Sequence, residues 1–320
     1  MPAPRSARRL LVSLLLTAHG VQAGPDASVV ASPAEPAHER RCAFEGIRRG
    51  DRPACQGVER TVLGRPFCVH APLGSRPRLP VVLLLHGYSS NGESQSRYLD
   101  LDSQVDRRGF ILVKPNGTMN AHGSRFWNAG RRFSVGGPDD VGYLAAVIDD
   151  VVTTFDADPA RVYALGHSNG AFMAHRLACE RSNRIAAIVT IAGSVVPGSC
   201  RPEQPVSVLT VHGTKDRLIR YEGDTLLGAS YASADVTLDF WARADGCQKT
   251  RRPGPSLRLV CDAQEATVAM YAGCPPGITV EHWRLDGVGH VPNFALPAWP
   301  AAVLDFLWAH PKPAASKPLR

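Results

Sequence analysis

The 320-residue sequence predicts an α/β domain built on a mostly parallel, doubly wound sheet. Two patterns lead to this prediction: short continuous apolar runs, which are typical of strands buried on both faces, and amphipathic helical patterns that alternate with them. The composition agrees, because 44% apolar and 20% charged residues are typical of a globular protein and not of a disordered one.

Six apolar runs are predicted as strands, and four segments between and after them are predicted as helices. The predicted strands are Val81–Leu85, Phe110–Lys114, Arg161–Leu165, Ile185–Ile191, Val206–Val211 and Thr279–Leu285. The polar alternation of the last run predicts an outer position in the sheet. The predicted helices are Asp139–Phe155, whose apolar residues recur with a period of 3.6, Asn169–Glu180, Tyr231–Ala244 and Ala298–Ala309.

The N-terminus has the three parts of a secretory signal peptide in residues 1–23. Three arginines precede the apolar run Leu10–Ala18, and Val21-Gln22-Ala23 offers a cleavage site. We therefore expect a secreted or periplasmic protein. Residues 24–60 are predicted to be a loosely ordered lead-in, residues 61–310 a single catalytic domain, and residues 311–320 a disordered tail. No run is long enough for stable membrane insertion.

Eight cysteines in an exported chain predict disulfides. The sequence leaves 105 pairings open, among which we favour Cys179–Cys200, Cys247–Cys274 and Cys42–Cys55. Because no cysteine or histidine group has zinc-binding spacing, neither a metal nor another cofactor is predicted.

The net charge of +7 does not indicate a nucleic-acid partner. Three of the positive charges lie in the predicted signal peptide, so +4 remains after its removal. The remaining basic residues form no stripe with interleaved aromatic residues, which nucleic-acid binding favours.

A candidate nucleophile follows the third predicted strand. Gly166-His167-Ser168-Asn169-Gly170 has the form G-x-S-x-G and opens a predicted helix, which is the context of a nucleophile elbow. Such a turn is so tight that small residues must flank the serine. We therefore predict Ser168 as a catalytic nucleophile.

A serine nucleophile requires a base, and the base requires an orienting acid. Asp216 follows the fifth predicted strand and His290 follows the sixth, so Ser168, Asp216 and His290 are the predicted triad. Asp224 and Asp286 remain alternative acids. The other histidines considered are His167, His212 and His282, which we expect to be structural.

Acyl transfer also requires an oxyanion hole. One N–H is expected from Asn169, the residue after the nucleophile, and the other from Tyr88, in the loop after the first predicted strand. Gly87 is expected to let the backbone approach the substrate.

These motifs, with several others, resemble the exported esterases grouped with polyhydroxybutyrate depolymerases and type C feruloyl esterases, within the α/β-hydrolase fold. The further matching stretches are Leu83–Gly87, Pro115–Thr118, Arg125–Ala129, Asp139–Tyr143, His212–Asp216 and Gly287–His290. The resemblance implies ester hydrolysis and a substrate position for Trp127 and Asn128, although Trp127 could equally be a buried core residue. The chain departs from the family after His290, where Val291-Pro292-Asn293-Phe294 replaces the Thr-Trp-Pro-Gly that is common there.

Only Ser194–Pro205 separates the fourth and fifth predicted strands, so we expect no lid domain. The resulting hypothesis is a monomeric serine carboxylesterase that acts on small or oligomeric esters, of hydroxyalkanoates or of aromatic and plant-wall acids. A secreted serine peptidase, an acetyl or feruloyl carbohydrate esterase and an inactive binding protein remain alternatives.

Overall fold

A sheet of ten strands forms the centre of the structure. The computed structural model describes residues 41–43, 53–74, 77–130, 137–196, 198, 201–226, 228–261 and 265–312. Its strands are β1 (Arg41–Cys42), β2 (Val58–Val62), β3 (Arg65–His70), β4 (Val81–Leu85), β5 (Ile111–Pro115), β6 (Thr118–Met119), β7 (Arg125–Phe126), β8 (Val162–His167), β9 (Ala187–Ile191), β10 (Ser207–Gly213), β11 (Asp224–Leu226), β12 (Ala229–Tyr231), β13 (Arg251–Pro253), β14 (Thr267–Tyr271), β15 (Val280–Leu285) and β16 (Ala295–Leu296). Its helices are α1 (Gly92–Leu99), α2 (Val105–Arg108), α3 (Asp140–Thr154), α4 (Asn169–Glu180), α5 (Ala234–Ala244) and α6 (Ala298–Ala309), with a 3₁₀ turn at Asp102–Gln104.

The six predicted strands form the parallel middle of this sheet, in the order β15-β10-β9-β8-β4-β5. Antiparallel strands extend both edges: β14 and β13 lie beyond β15, and β3 and β2 lie beyond β5. The mostly parallel α/β architecture is therefore confirmed. The predicted outer position of β15 is wrong, because β14 pairs along it. The polar His282 within β15 is buried and satisfied by Thr210 Oγ1 at 2.7 Å, so its polarity does not mark an edge.

Helices cover both faces of the sheet. Every residue of β4 is fully buried, and successive residues point to opposite faces. Val81, Leu83 and Leu85 join the apolar cluster that contains residues of α3, α4 and α5. Val82 and Leu84 join the second cluster, which contains residues of α1 and α6. The continuous apolar run of this strand thus reflects burial on two sides, as in other doubly wound sheets.

The connection from β9 to β10, residues 192–206, contains no helix or strand among its described residues. This agrees with the prediction that no lid domain is inserted there.

The disulfides differ in part from the predicted pairing. Cys247 pairs with Cys274, as predicted. The predicted bond between Cys42 and Cys55 is wrong: Cys42 pairs with Cys261, and Cys55 pairs with Cys68. The cause is strand pairing, since β1 lies antiparallel to β16, close to Cys261, and β3 carries Cys68. Cys179 is disulfide-bonded, but its predicted partner, Cys200, lies outside the described residues.

Some residues near the predicted domain limits contact the folded part of the chain. β2 begins at Val58, three residues before the predicted start at 61, and pairs along β3. At the other end, Lys312 donates its backbone N–H to Ala160 O at 2.7 Å and its Nζ to Ser182 O. Residues 1–23, the predicted signal peptide, lie outside the described residues. Within the described part, no helix is both long and apolar enough to cross a bilayer.

Asp245, at the C-terminal end of α5, makes folding stability depend on pH. Burial raises its pKa from 3.8 to about 7, although a hydrogen bond from Val206 N at 3.0 Å opposes the shift. Between those two values the folded state holds a proton that the unfolded chain has released, so its stability falls as pH rises from about 4 to 7. Asp245→Asn has no such proton and is expected to melt at a higher temperature than the wild type at pH 8, with a smaller difference at pH 4. Thermal unfolding at both pH values checks this, with the exposed Glu203→Gln as control; a difference that does not grow with pH would contradict it.

Candidate active site

The predicted elbow lies between β8 and α4. Ser168 has φ 54° and ψ −122°, a strained backbone conformation that L residues rarely adopt. Its two neighbouring glycines leave no room for a side chain: a Cβ on Gly166 would lie 2.2 Å from Gly170 O, and one on Gly170 would lie 2.1 Å from Leu85 O. The G-x-S-x-G pattern is therefore a steric requirement of this turn, and it presents Ser168 at the carboxyl edge of the sheet.

The structure brings the three predicted triad residues together. Ser168 Oγ lies 2.9 Å from His290 Nε2, and His290 Nδ1 lies 2.7 Å from Asp216 Oδ2. The sheet explains the meeting, because β8, β10 and β15 are parallel and each of the three residues follows the carboxyl end of one of them. The imidazole thus bridges a hydroxyl and a carboxylate, as general base catalysis requires.

Asp216 is held in its ionised form. Burial raises the pKa of this carboxyl, but hydrogen bonds from His212, His290 and the backbone of Ile219 outweigh burial and hold its pKa well below its ordinary value. Oδ1 accepts the N–H groups of Leu218 and Ile219, both at 2.9 Å, which leaves Oδ2 for His290. A fixed negative charge therefore faces Nδ1 and favours the tautomer with its proton there.

The alternative acids lie elsewhere. Asp224 is paired with Arg220 at 3.2 Å and Asp286 with Arg284 at 2.9 Å, and both carboxylates are more than one third exposed. Among the described residues, neither has a hydrogen bond or ion pair with His290, so Asp216 is the carboxylate that the fold places against the base.

The other candidate histidines have structural partners. His212 Nε2 is 2.8 Å from Ile219 O and 3.4 Å from Asp216 Oδ2. His282 bonds to Thr210 and Tyr221. His167 points to the backbone of His290, with Nε2 3.0 Å from the carbonyl oxygen.

Two backbone N–H groups are available for an oxyanion. Asn169 is the first residue of α4, where helix geometry leaves the N–H without an intrahelical acceptor. Neither its N–H nor that of Tyr88 donates to another group among the described residues. The phenol of Tyr88 is 55% exposed and its hydroxyl accepts from Asn120 Nδ2 at 2.9 Å. The loop after β4 and the start of α4 therefore both offer donors.

One group of residues has ligand types that metals prefer, but its chemistry does not fit a metal. Among the described residues, Cys55, Cys68 and Glu93 bring their ligand atoms within 4.8 Å of one another. The two sulfurs form a disulfide, so they are not thiolates. The three residues also line a cavity of about 430 Å³, which none of the triad residues borders.

The sequence matches known esterases. Residues 67–219 match the protein family described as Esterase PHB depolymerase. Over 232 residues, the chain is 27% identical to the bifunctional acetylxylan esterase/xylanase of Neocallimastix patriciarum. This alignment covers 72% of this chain and 32% of that protein. Over 223 residues, it is 26% identical to feruloyl esterase C of Emericella nidulans. This alignment covers 65% of this chain and 74% of that protein. The chain is therefore similar to polyhydroxybutyrate depolymerase and feruloyl esterase-like proteins, and the family match covers a little under half of it.

A solved structure shows the fold. The acetyl xylan esterase from Aspergillus awamori matches with a TM-score of 0.55 at 14% identity, covering 76% of this chain and 94% of that one. The predicted α/β-hydrolase fold is thereby confirmed. The chain spans about one third of the length of the bifunctional relative.

The side chains of Trp127 and Asn128, for which the resemblance implies a substrate position, are both buried. Trp127 is 1% exposed, its Nε1 donates to His86 O at 3.0 Å, and its backbone is bonded twice by the side chain of Asn169. Asn128 is 6% exposed and donates its N–H to Asp140 at 2.7 Å. These hydrogen bonds connect the segment to the elbow and to α3, and its contact with the substrate stays a prediction.

Sequence reasoning missed the residues that hold the loop of Tyr88. Gln95, on α1, accepts the N–H of Gly87 at 3.2 Å. His86 Nε2 accepts the N–H of Gly117 at 3.0 Å, while Nδ1 lies 2.7 Å from Gly87 O. Burial lowers the pKa of His86 to about 4, so this ring is neutral. Gln95 lies in a helix that carried no strong pattern, and no sequence signal pointed to it.

Gly87 lies beside the nucleophile. A Cβ added there would be 3.6 Å from Ser168 Cβ and 3.5 Å from His167 Nδ1, which are ordinary contact distances. Gly87→Ala is therefore expected to fold with an unchanged melting temperature but to lower kcat/KM for a p-nitrophenyl ester at least about tenfold, because the methyl group occupies space next to Oγ. Steady-state kinetics and thermal unfolding check this. Gly64→Ala, at φ +72° in the β2–β3 hairpin, adds the same methyl group outside the site and is expected to lower the melting temperature without changing kcat/KM; equal kinetics for both variants would contradict the prediction.

Proposed function

We propose that the protein is an exported serine esterase that hydrolyses carboxylic esters through an acyl-enzyme. The observation that carries the proposal is the hydrogen-bonded chain Ser168 Oγ–His290 Nε2 and His290 Nδ1–Asp216 Oδ2, at 2.9 and 2.7 Å. Its position at a strained elbow beside unpaired N–H groups supports the same reaction. The esterase names of its relatives agree with it.

In this mechanism, His290 Nε2 takes the proton of Ser168 as Oγ attacks the ester carbonyl. Asp216 stabilises the imidazolium that forms. The N–H groups of Asn169 and Tyr88 donate to the oxyanion. The C–O bond to the alcohol then breaks, and His290 returns the proton to the departing oxygen. Water, deprotonated by the same imidazole, attacks the acyl-enzyme, and the acid is released as Ser168 recovers its proton.

The substrates we infer are uncharged esters with an apolar part, including oligomers of hydroxyalkanoates and esters of aromatic or acetyl groups on carbohydrate. Three residues that neighbour the catalytic groups in sequence are exposed and apolar or aromatic: Tyr88, Leu218 and Val291 are 55%, 67% and 47% exposed. Relatives named acetylxylan esterase and feruloyl esterase C point to acyl groups of this kind. The short connection between β9 and β10 supports open access to the cleft.

A substrate panel tests the proposed reaction. p-Nitrophenyl butyrate, methyl ferulate, a hydroxybutyrate trimer and a dipeptide p-nitroanilide are assayed with the wild type and with Ser168→Ala. We expect hydrolysis of at least one class of ester by the wild type and none by the variant. Cleavage of the anilide without cleavage of any ester would instead assign the protein as a peptidase.

Export follows from the proposed removal of residues 1–23 and agrees with the disulfides, which form in oxidising compartments. We place residues 61–310 in the catalytic domain, and we propose that it acts as a monomer.

A further inference from the structure

The segment that carries His290 is bonded to the loop after β10 through Thr214 and Lys215 and buries Val288, but its two glycines contribute no side-chain contacts. It runs from the end of β15 at Leu285 to β16, and it contains Gly287, with φ +75°, and Gly289. A Cβ added to either glycine would meet nothing within 4 Å. The imidazole must nevertheless stay within hydrogen-bond distance of both Ser168 and Asp216.

Two side chains bond to the backbone of this segment after its glycines. His167 Nε2 lies 3.0 Å from His290 O, and Tyr98 donates its hydroxyl to Pro292 O at 2.6 Å. Both side chains belong to buried residues, each 7% exposed, and their rings lie 5.7 Å apart. Because a carbonyl oxygen can only accept, the contact of His167 requires a proton on Nε2.

His167 links the nucleophile and the base through one rigid residue. It precedes Ser168 directly, at the end of β8, and its ring reaches the backbone of His290. A displacement of the His167 ring would shift the backbone of His290 and so change the distance between Ser168 Oγ and His290 Nε2. A hydrogen bond at this place therefore has more effect on the reacting geometry than one elsewhere in the loop.

The His167 ring is also suited to its position because it is uncharged. Burial lowers the pKa of His167 to about 4, so the ring is neutral at working pH. The rings of His167 and His290 lie 5.2 Å apart. Since His290 becomes an imidazolium during the reaction, a charged donor at that distance would oppose its protonation. A neutral imidazole supplies the donor without this repulsion.

We propose that His167 and Tyr98 are positioning residues, which hold the His290 segment against the nucleophile strand by donating hydrogen bonds to the carbonyls of His290 and Pro292. This role rests on the proposed function for its kinetic consequence. The two bonds act at neighbouring points of one segment, so their losses should not be independent.

Variants at His167 separate the hydrogen bond from the volume of the side chain. His167→Leu fills the space without a donor, whereas His167→Gln carries an N–H near the position of Nε2. We expect His167→Leu to lower kcat about 10- to 100-fold with little change in KM, and His167→Gln to recover most of the loss. Hydrogen exchange of peptides covering 286–294, followed by mass spectrometry, should be faster in the Leu variant.

Tyr98→Phe removes the second bond alone, and it is expected to lower kcat several-fold and to speed the same exchange. Tyr163→Phe is its matched control, because the Tyr163 hydroxyl is also buried but has no hydrogen-bond partner in the described part of the chain; its kcat and exchange should equal those of the wild type.

The positioning role is overturned if exchange in 286–294 is unchanged in His167→Leu, or if the Leu and Gln variants lose kcat and melting temperature equally. The hydrogen-exchange measurement requires no substrate, so it reports on these two hydrogen bonds independently of catalysis. A wild type that hydrolyses no ester would therefore contradict the proposed function, while faster exchange in the variants would still support the positioning role of His167 and Tyr98.

Discussion

Ser168→Ala is expected to lower kcat for p-nitrophenyl butyrate by about 10⁶-fold, to the level that binding and oxyanion contacts alone support. The substitution removes the Oγ that lies 2.9 Å from His290 Nε2 and leaves the rest of the elbow intact. Alanine keeps the same Cβ, so the strained backbone at φ 54° bears no new clash. The measurement is steady-state hydrolysis by purified wild type and variant, with thermal unfolding to check that both are folded.

Ser230→Ala is the control for this result, since that exposed serine lies on β12 and bonds only to Thr225 among the described residues. Its kinetics should equal those of the wild type. Retention of more than a small fraction of activity by Ser168→Ala would rule out this serine as the nucleophile.

Asp216→Asn is expected to lower kcat by about 10⁴-fold with the protein still folded. The amide can still accept the N–H groups of Leu218 and Ile219 through Oδ1. Its NH₂ would then face His290 Nδ1, which must become an acceptor. The proton moves to Nε2, and the imidazole can no longer take the proton of Ser168.

Asp286→Asn and Asp224→Asn are matched controls, because each removes one carboxylate charge from an exposed ion pair that, among the described residues, makes no contact with His290. Both should keep kcat within about twofold of the wild type, as expected for exposed ion pairs. A 10⁴-fold loss in either control, or an active Asp216→Asn, would move the role of the acid to another residue.

The centre of the fold was predictable because its strands are buried on both sides. A run such as Val81–Leu85 has no polar residue to mislead the pattern, and the structure places a strand at that range. Helices α4 and α6 also match their predicted limits, since Ser168 and Pro297 precede them. The proximity of Ser168, Asp216 and His290 could be anticipated from their places after parallel strands, whose carboxyl ends meet at one edge.

The edges of the sheet and the supporting contacts were not predictable in the same way. β13 and β14 are short and partly exposed, and their pairing with β15 depends on contacts far along the chain. The disulfide between Cys42 and Cys261 joins residues 219 positions apart, so the local spacing of the cysteines does not indicate it. Likewise, Tyr98 reaches Pro292 only because α1 packs near the His290 segment, and that approach is a property of the tertiary structure.

The most direct test of the central claim is covalent labelling with a fluorophosphonate, followed by peptide mass spectrometry. This reagent reacts with an activated serine and leaves a stable phosphonate ester on its oxygen. The account predicts one adduct, on Ser168, formed in step with loss of esterase activity and strongly slowed in His290→Ala. Full inactivation with the adduct on another residue, or ester hydrolysis that persists with Ser168 fully labelled, would contradict it.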